Sequence, residues 1–588
     1  MHSIAIVSNE EHAQVIARSG IALSEILSFC PIAKYTLEKK GYKVRANSDF
    51  YGSLSHAKNV VITHQTLDRI VESASGYDLG EAEKLSLRVY LYYCLSICYL
   101  IYFSARSYKN AAEFVWVEDG KIHRSPHFSA LYESLVFQAI AHLKAHANQT
   151  LSPAHAFLAR LSNRISHYYL SRQKKRRVLC FGNPFPWKIA RAVAAQEDSV
   201  IIYPVSIHRQ FSKTLGVFFK MLIRFACKKH KGVVTIYRIA PALPDSPQPP
   251  LILPIKEALI NGTATKIIHA YIPFLRKEYR LGGALVERYT PDLAIGDHGK
   301  YPYIVGALEA LSNRNITALM INHATYTKQE SIISKMAMEE WSRQNRMVTR
   351  YNSDFAPKSP LTLELAKSIM PGLHCRIHKI NNYGKTKIAA YNPAEPFLIL
   401  HAGNYGDLPT TIPHCIETPF EYLYGILELI DEVKTIDNAQ LIIKLKAAKS
   451  DVHYRIIDDY IKQSGAIRVT IDTAGKFADL LAKTHLLISN LSGTLEEAAI
   501  NNMPTLLYTY RKKYFHFPCS FHPAGDALIY GVKDKKDVVP MIRSIMARHA
   551  LLLTQKNTGI AWQENELTTP AGLATALLAH SPSPRTRP

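Results

Sequence analysis

The sequence is poor in cysteine and in acid. Eight cysteines are spread over 588 residues (Cys30, Cys94, Cys98, Cys180, Cys227, Cys375, Cys415 and Cys519), and none forms a CxxC pair. A disulfide framework or a zinc site is therefore not expected, and a reducing cytoplasm is. Asp and Glu number 48 against 71 Lys and Arg, a formal charge of +23. That balance favours anionic partners such as acidic lipid surfaces or phosphorylated small molecules. Nucleic acid is the natural rival. The chain lacks zinc-finger spacing, an RNP-like string and any long basic tract beyond 172–177 (RQKKRR), so nucleic acid is not expected as a partner. It has no G-x-S-x-G elbow and no GxxxxGK[ST] loop, which argues against serine-hydrolase and P-loop NTPase chemistry. The N-terminus has no basic stretch ahead of its short apolar run, so no secretory signal is expected. Long apolar runs are scarce too. Residues 89–103 (VYLYYCLSICYLIYF) fall short of the ~18 to 20 residues a spanning helix needs. A buried core helix is expected there, with membrane contact as the alternative.

What is present is the composition of a globular chain, 47% hydrophobic and 20% charged, long enough to bury several cores. Strand and helix signals alternate along it. Residues 1–170 read as an N-terminal α/β appendage, with strands at 4–7, 42–44 and 59–63, a helix at 31–40, and long helix through the tyrosine-rich run. After the basic link 172–177 the pattern restarts with a strand at 178–182, a helix near 187–195 and strands at 199–204, 233–239, 291–296 and 316–321. Prolines between 241 and 254 mark an exposed linker. A third start follows at 397–401, with a helix at 420–433, strands at 441–445, 467–471, 484–488 and 505–508, and a helix at 477–482. The expected fold class is α/β, with two facing Rossmann-like domains at 175–350 and 390–560 behind the appendage. Residues 581–588 (SPSPRTRP) read as a disordered tail.

The most informative stretch is 486–507, LLISNLSGTLEEAAINNMPTLL. A buried strand ends at Ser489, a small-residue loop runs through Ser492, Gly493 and Thr494, and a helix follows. Unpaired N–H groups and the helix dipole face such a loop, and Gly493 lets an anion approach the backbone. Ser492 and Thr494 add hydroxyls, and Glu497, one turn in, is placed to accept hydrogen bonds from ribose. A plain strand-to-helix turn, with Ser492 or Thr494 as cap and Glu497 complementing the dipole, explains the same residues.

The run SGTLEEAAINNMP resembles the nucleotide-sugar loop in the C-terminal domain of GT-B glycosyltransferases, with Ser492, Gly493, Thr494, Glu497, Ala498 and Pro504 at the matching positions. The resemblance extends over about 175–560. The segment from Pro291 to Tyr326 is similar to the end of a GT-B N-terminal domain, and the whole looks most like bacterial surface-polysaccharide (capsule) transferases. It implies a GT-B type fold. It also implies a glycosyltransferase that moves a sugar from a nucleotide-sugar donor to a cell-surface polysaccharide or lipid-linked glycan. Two features depart from the pattern: the Arg/Lys-x-His-Pro expected after the strand at Leu441 reads Ile443-Lys444-Leu445-Lys446-Ala447-Ala448, and standard two-domain members lack the appendage. Donor contacts are expected from Gly403 and Asn404 in the loop after the third-domain first strand, from Lys444 and Lys446, and from Ser489, Ser492, Gly493, Thr494 and Glu497.

An inverting transfer needs a base near the acceptor hydroxyl. Asp297, His298 and His323 are the candidates, in loops at the carboxyl ends of strands. No DxD-like pair follows a strand, and a helix dipole can stabilise a leaving diphosphate, so neither metal nor other cofactor is expected. Residues 209–231 (RQFSKTLGVFFKMLIRFACKKHK) interleave basic and apolar residues, as a helix lying on the inner face of the plasma membrane would, and as a core helix with its basic ends reaching solvent would also. A nucleotide-sugar 2-epimerase, a polyol-phosphate transferase and a catalytically silent scaffold subunit are the alternatives on this frame.

Overall fold

The computed structural model describes residues 3–46, 54–108, 110–136, 153–182, 184–205, 232–238, 251, 253, 255–297, 301–322, 327, 335–336, 338–340, 342, 351, 353–380, 383–403, 419–446, 451–490, 492–508, 515, 517–556 and 559–581. Three sheets follow one another along the chain, and all three are wound the same way.

The first sheet has the order β3-β2-β1-β4-β5, from β1 (Ser3–Val7), β2 (Glu25–Ser28), β3 (Val44–Ala46), β4 (Glu113–Glu118) and β5 (Lys121–Ser125). All pairs are parallel except the β4–β5 hairpin. Helices α1 (Glu10–Ser19) and α2 (Pro31–Glu38) cover one face, and α3 (Leu54–Ser73) and α4 (Glu81–Arg106) cover the other. The strand expected at 59–63 is a correction: those residues lie inside α3. Their β-branched run reads as a short strand, but it continues a helical period that packs Leu67 and Ile70 into the core. The β4–β5 hairpin lies in the stretch read as helix. Helix α4 holds the tyrosine-rich run. Its residues 83–104 are long and apolar enough to cross a membrane, yet Leu91, Tyr92, Cys94, Leu95 and Tyr99 are buried in the core.

The second sheet is parallel throughout, in the order β12-β11-β10-β9-β6-β7-β8. Its strands are β6 (Arg176–Cys180), β7 (Ser199–Val205), β8 (Val233–Tyr237), β9 (Leu293–Gly296), β10 (Thr317–Ile321), β11 (Asp354–Ala356) and β12 (Arg376–Ile377). Helices α5 (Pro153–Ser171), α6 (Pro184–Gln196), α7 (Ala258–Tyr289), α8 (Pro302–Ser312) and α9 (Pro360–Ile369) accompany it. The long α7 serves two cores. Ile260, Ile268 and Leu275 pack with α4 in the first unit, whereas Leu281, Leu285 and Val286 pack on the second sheet. At Gly282 a Cβ would lie 2.5 Å from the backbone nitrogen of Ala307, so glycine lets α7 and α8 touch along their backbones. The basic link is partly interior. Arg176 and Arg177 lie in β6, and the Arg177 guanidinium donates to the carbonyls of Leu170 (2.6 Å) and Tyr289 (2.9 Å), the last turns of α5 and α7.

The third sheet is also parallel, in the order β15-β14-β13-β16-β17-β18. It comprises β13 (Phe397–Ala402), β14 (Ala439–Lys444), β15 (Val469–Asp472), β16 (Leu486–Ser489), β17 (Thr505–Leu507) and β18 (Ile529–Gly531). Around it lie α10 (Pro419–Val433), α11 (Val452–Ser464), α12 (Phe477–Lys483), α13 (Gly493–Ile500) and α14 (Val538–Leu552). The last helix, α15 (Pro570–His580), leaves this unit and buries Leu573, Ala574 and Leu577 in the core of the second sheet, beside α6. The second and third sheets are two Rossmann-like layers, joined by the returning α15 and preceded by an α/β unit.

Candidate functional site

In a doubly wound sheet the strand order reverses on either side of the first strand. Two chain segments leave in opposite directions there, and a crevice opens at the carboxyl ends, where such sheets bind ligands. In the third sheet this point lies between β13 and β16; in the second, between β6 and β9. Of the candidate residues, Gly403, Ser489, Ser492, Gly493, Thr494 and Glu497 fall near the first point and Asp297 near the second, whereas Lys444 and Lys446 lie at the end of β14.

At the third-sheet point, β13 ends in His401 and Ala402 with Gly403 following, and β16 ends in Ser489 with Asn490 following. Ser492 is the N-cap of α13, and its hydroxyl accepts from the Thr494 N–H at 3.3 Å. Thr494 Oγ1 donates to the carbonyl of Ala402 at 3.4 Å, tying the helix start to the end of β13. The Tyr383 hydroxyl lies close over Gly493, where a Cβ would come 3.0 Å from it. The capping role of Ser492 is thus real, and it coexists with a helix that begins at the carboxyl edge of the sheet.

Among the described residues, three buried side chains around this point carry polar atoms with no hydrogen-bond partner: His401 at Nδ1, Ser489 at Oγ, and Asn490 at both Oδ1 and Nδ2. Ser489 is 1% exposed and Asn490 2%. By strand alternation His401 faces α10, with the Tyr422 ring 6.1 Å away, while Ser489 lies on the face of α13. Burial drives the His401 imidazole down to about 4, so it is neutral. Such groups cost free energy when left unpaired in the interior, and in native proteins they mark places completed by something else.

Glu497 is half-buried, and burial pushes its carboxyl above the usual range. Lys444 is already paired: its ammonium lies 2.9 Å from Asp472 Oδ1, across the ends of β14 and β15, and that pairing holds Asp472 below the usual carboxylate range. Lys446 is exposed. Asn404 lies outside the described residues.

At the second-sheet point, Asp297 follows β9 and is 5% exposed. Across from it Gly182 follows β6 with φ +96, and a Cβ there would lie 2.5 Å from Asp297 Cγ. Only glycine lets the β6 backbone pass the carboxylate this closely. Tyr203 donates to the Gly182 carbonyl at 3.1 Å. Burial, with the Asp297 charge second, pushes the Cys180 thiol up to about 12, so it is no nucleophile. His298 and His323 lie outside the described residues, as do 209–231.

The two edges meet. Asn322, following β10, accepts from the Lys358 N–H at 2.6 Å, and the Lys358 ammonium lies 3.9 Å from Glu496 in the first turn of α13. Both side chains are buried, 9% and 6% exposed. Tyr383 shares the junction: burial, then the neighbouring Glu496 and Glu497 carboxylates, push its phenol far up. Sequence reasoning passed over Lys358, Tyr383, Asn490 and Glu496. Asn490 had a signal, a polar residue directly after a buried strand. Lys358 is separated by more than a hundred residues from its partner, and no local pattern marks it.

No protein-family model matches the chain, and neither does the sequence of any curated protein. Among solved structures, the chain is similar to UDP-GlcNAc 2-epimerase from Neisseria meningitidis bound to UDP-GlcNAc (10% identity, 69% of this chain and 99% of that one, TM-score 0.39). It is similar also to sucrose-phosphate synthase from Thermosynechococcus elongatus (13%, 69% and 100%, TM-score 0.39) and to MurG of Acinetobacter baumannii (11%, 69% and 99%, TM-score 0.37). Likeness at these scores does not say what this chain binds. The chain's own topology shows two doubly wound, Rossmann-like parallel sheets whose carboxyl edges approach at Lys358 and Glu496.

Proposed function

We propose that the chain is a glycosyltransferase of surface-polysaccharide assembly. It would move a sugar from a nucleotide-sugar to a cell-surface polysaccharide or lipid-linked glycan. The observation that carries this is Ser489 and Asn490, whose side chains are buried with no hydrogen-bond partner among the described residues at the third-sheet switch point, beside the N-terminus of α13. A nucleoside diphosphate supplies what that crevice lacks: phosphate oxygens for the helix N–H groups and for the backbone at Gly403, and polar edges for Ser489 and Asn490. Glu497 would accept from ribose hydroxyls. Asp297, on the facing edge, would take the proton of the acceptor hydroxyl as that oxygen attacks the sugar's anomeric carbon and the nucleoside diphosphate departs. The α13 N-terminus supports the leaving charge, and no metal is placed in this scheme; activity should survive chelation by EDTA. The enzyme would work in the cytoplasm, at the membrane's inner face.

The test is a thermal-shift titration with UDP, GDP, CDP, TDP, CMP and ADP. A ligand bound only by the native state adds about 2.7 kcal/mol at a hundredfold excess over Kd. One nucleotide should shift the transition and so identify the donor class. A flat response to all six rejects the donor site and leaves a scaffold subunit. Conversion of the donor without any acceptor would instead support the epimerase.

A further inference from the structure

Helix α5 has two unlike faces. Its inner face is fixed by hydrogen bonds to the second sheet. The Asn163 amide donates to the Tyr237 carbonyl and accepts the Tyr237 N–H, both at 2.7 Å, so a side chain caps the edge strand β8. Ser166 donates to the Thr235 carbonyl at 3.2 Å, and Arg177 grips the last turn at Leu170. The helix cannot rotate without breaking these buried bonds.

The outer face is therefore fixed as well. At about 100° per residue, Phe157, Arg160, Leu161, Arg164, Tyr168 and Arg172 fall within a stripe about 120° wide. Phe157 is 68% exposed and Tyr168 56%, unusual values for large rings. Arg160, Arg164 and Arg172 are exposed, and Arg172 lies over the Tyr168 ring at 4.2 Å. None of the three meets a carboxylate among the described residues. No Asp or Glu occurs between Glu133 and Glu197.

We propose that this stripe docks the protein on an anionic lipid surface. The proposal goes beyond the transferase reading and does not depend on it. A helix lying flat would set Phe157 into the boundary between headgroups and acyl chains and Tyr168 at headgroup level, with the arginines among lipid phosphates. A convex helix edge of this kind fits a plane, whereas single-stranded nucleic acid is held in a basic groove.

Co-sedimentation of the full chain with vesicles tests it. Binding is expected to vesicles of phosphatidylcholine mixed with phosphatidylglycerol, and to fall with salt. Arg160→Gln with Arg164→Gln should weaken it at least about tenfold, and the two Arg→Lys changes should restore most of it. Phe157→Ala with Tyr168→Ala should weaken binding while leaving its salt dependence. These side chains are exposed, and an unchanged melting temperature confirms that the variants fold. Unchanged vesicle binding in the variants would place the contact elsewhere, for instance at 209–231, and overturn the proposal. So would a wild-type chain that ignores the vesicles but loses affinity for a single-stranded oligonucleotide when Arg160 and Arg164 are changed.

Discussion

Lys358 and Glu496 form a buried pair that joins the carboxyl edges of two sheets, with the ammonium 3.9 Å from the carboxylate. Lys358 stands one residue before the Ser359 cap of α9, and Glu496 stands in the first turn of α13. The pair is a contact between the second sheet's edge and the helix N-terminus proposed to hold the donor.

Lys358→Met leaves the Glu496 carboxylate buried without its cation, and removal of one partner of a buried pair costs about 3 to 5 kcal/mol. Lys358→Met combined with Glu496→Gln should recover most of that loss, because no charge is stranded. Urea unfolding of the two singles and the double gives the coupling directly. A double variant as unstable as the sum of the singles would show that the pair is not coupled.

Much of this arrangement was legible from strand periodicity alone. The runs expected at 178–182, 291–296, 397–401 and 484–488 overlap the central parallel strands β6, β9, β13 and β16, each shifted by one or two residues at an end, and those strands mark the switch points. Asp297, directly after β9, and Ser489, the last residue of β16, were read as candidates from such runs. The strand expected at 59–63 failed because β-branched residues in a short window fit a buried helix equally well. The Lys358–Glu496 pair and the dual packing of α7 depend on how distant segments meet, which no window of sequence contains. Pairing also changed the meaning of Lys444: beside Asp472 it reads as a strand-end salt bridge, whatever it does with a donor.

Gly182→Ala puts a methyl group into the Asp297 carboxylate at a backbone angle that L-residues avoid. Strain of this kind costs about 1 to 3 kcal/mol. The melting temperature should fall, and kcat should fall further than stability explains, because Asp297 must move. Asp297→Asn should keep stability and nucleotide affinity while abolishing turnover. If Asp297→Asn retains normal kcat, Asp297 is not the base.

Asn490→Leu removes an amide whose two polar atoms are buried without partners among the described residues. An apolar side chain of similar size relieves that penalty, about 1 to 3 kcal/mol for a stranded group. The ligand-free variant should therefore melt at or above the wild-type temperature and show no nucleotide-induced shift. Glu497→Ala should weaken nucleotide binding about tenfold with little change in stability. Destabilisation by Asn490→Leu with an intact nucleotide shift would make Asn490 structural.

Acid should unfold the third-sheet unit through its histidines. Burial holds His401 at about 4. His549, whose Nδ1 accepts from the Tyr391 N–H at 3.2 Å and whose Nε2 lies 2.9 Å from the His485 carbonyl, is also at about 4, through burial first and then the charge of His485. Both groups bind protons more readily in the unfolded chain, near 6.5. Their contribution is therefore complete above pH 6.5 and is lost as pH falls toward 4, up to about 3 kcal/mol for His401. Urea midpoints measured from pH 7.5 to 4.5 should drop across that window. His401→Leu cannot titrate, and its slope should be shallower by one proton than the wild-type slope. Parallel slopes for the two proteins would mean that His401 is charged in the folded state, and a hidden counter-charge would then have to be sought at the end of β13.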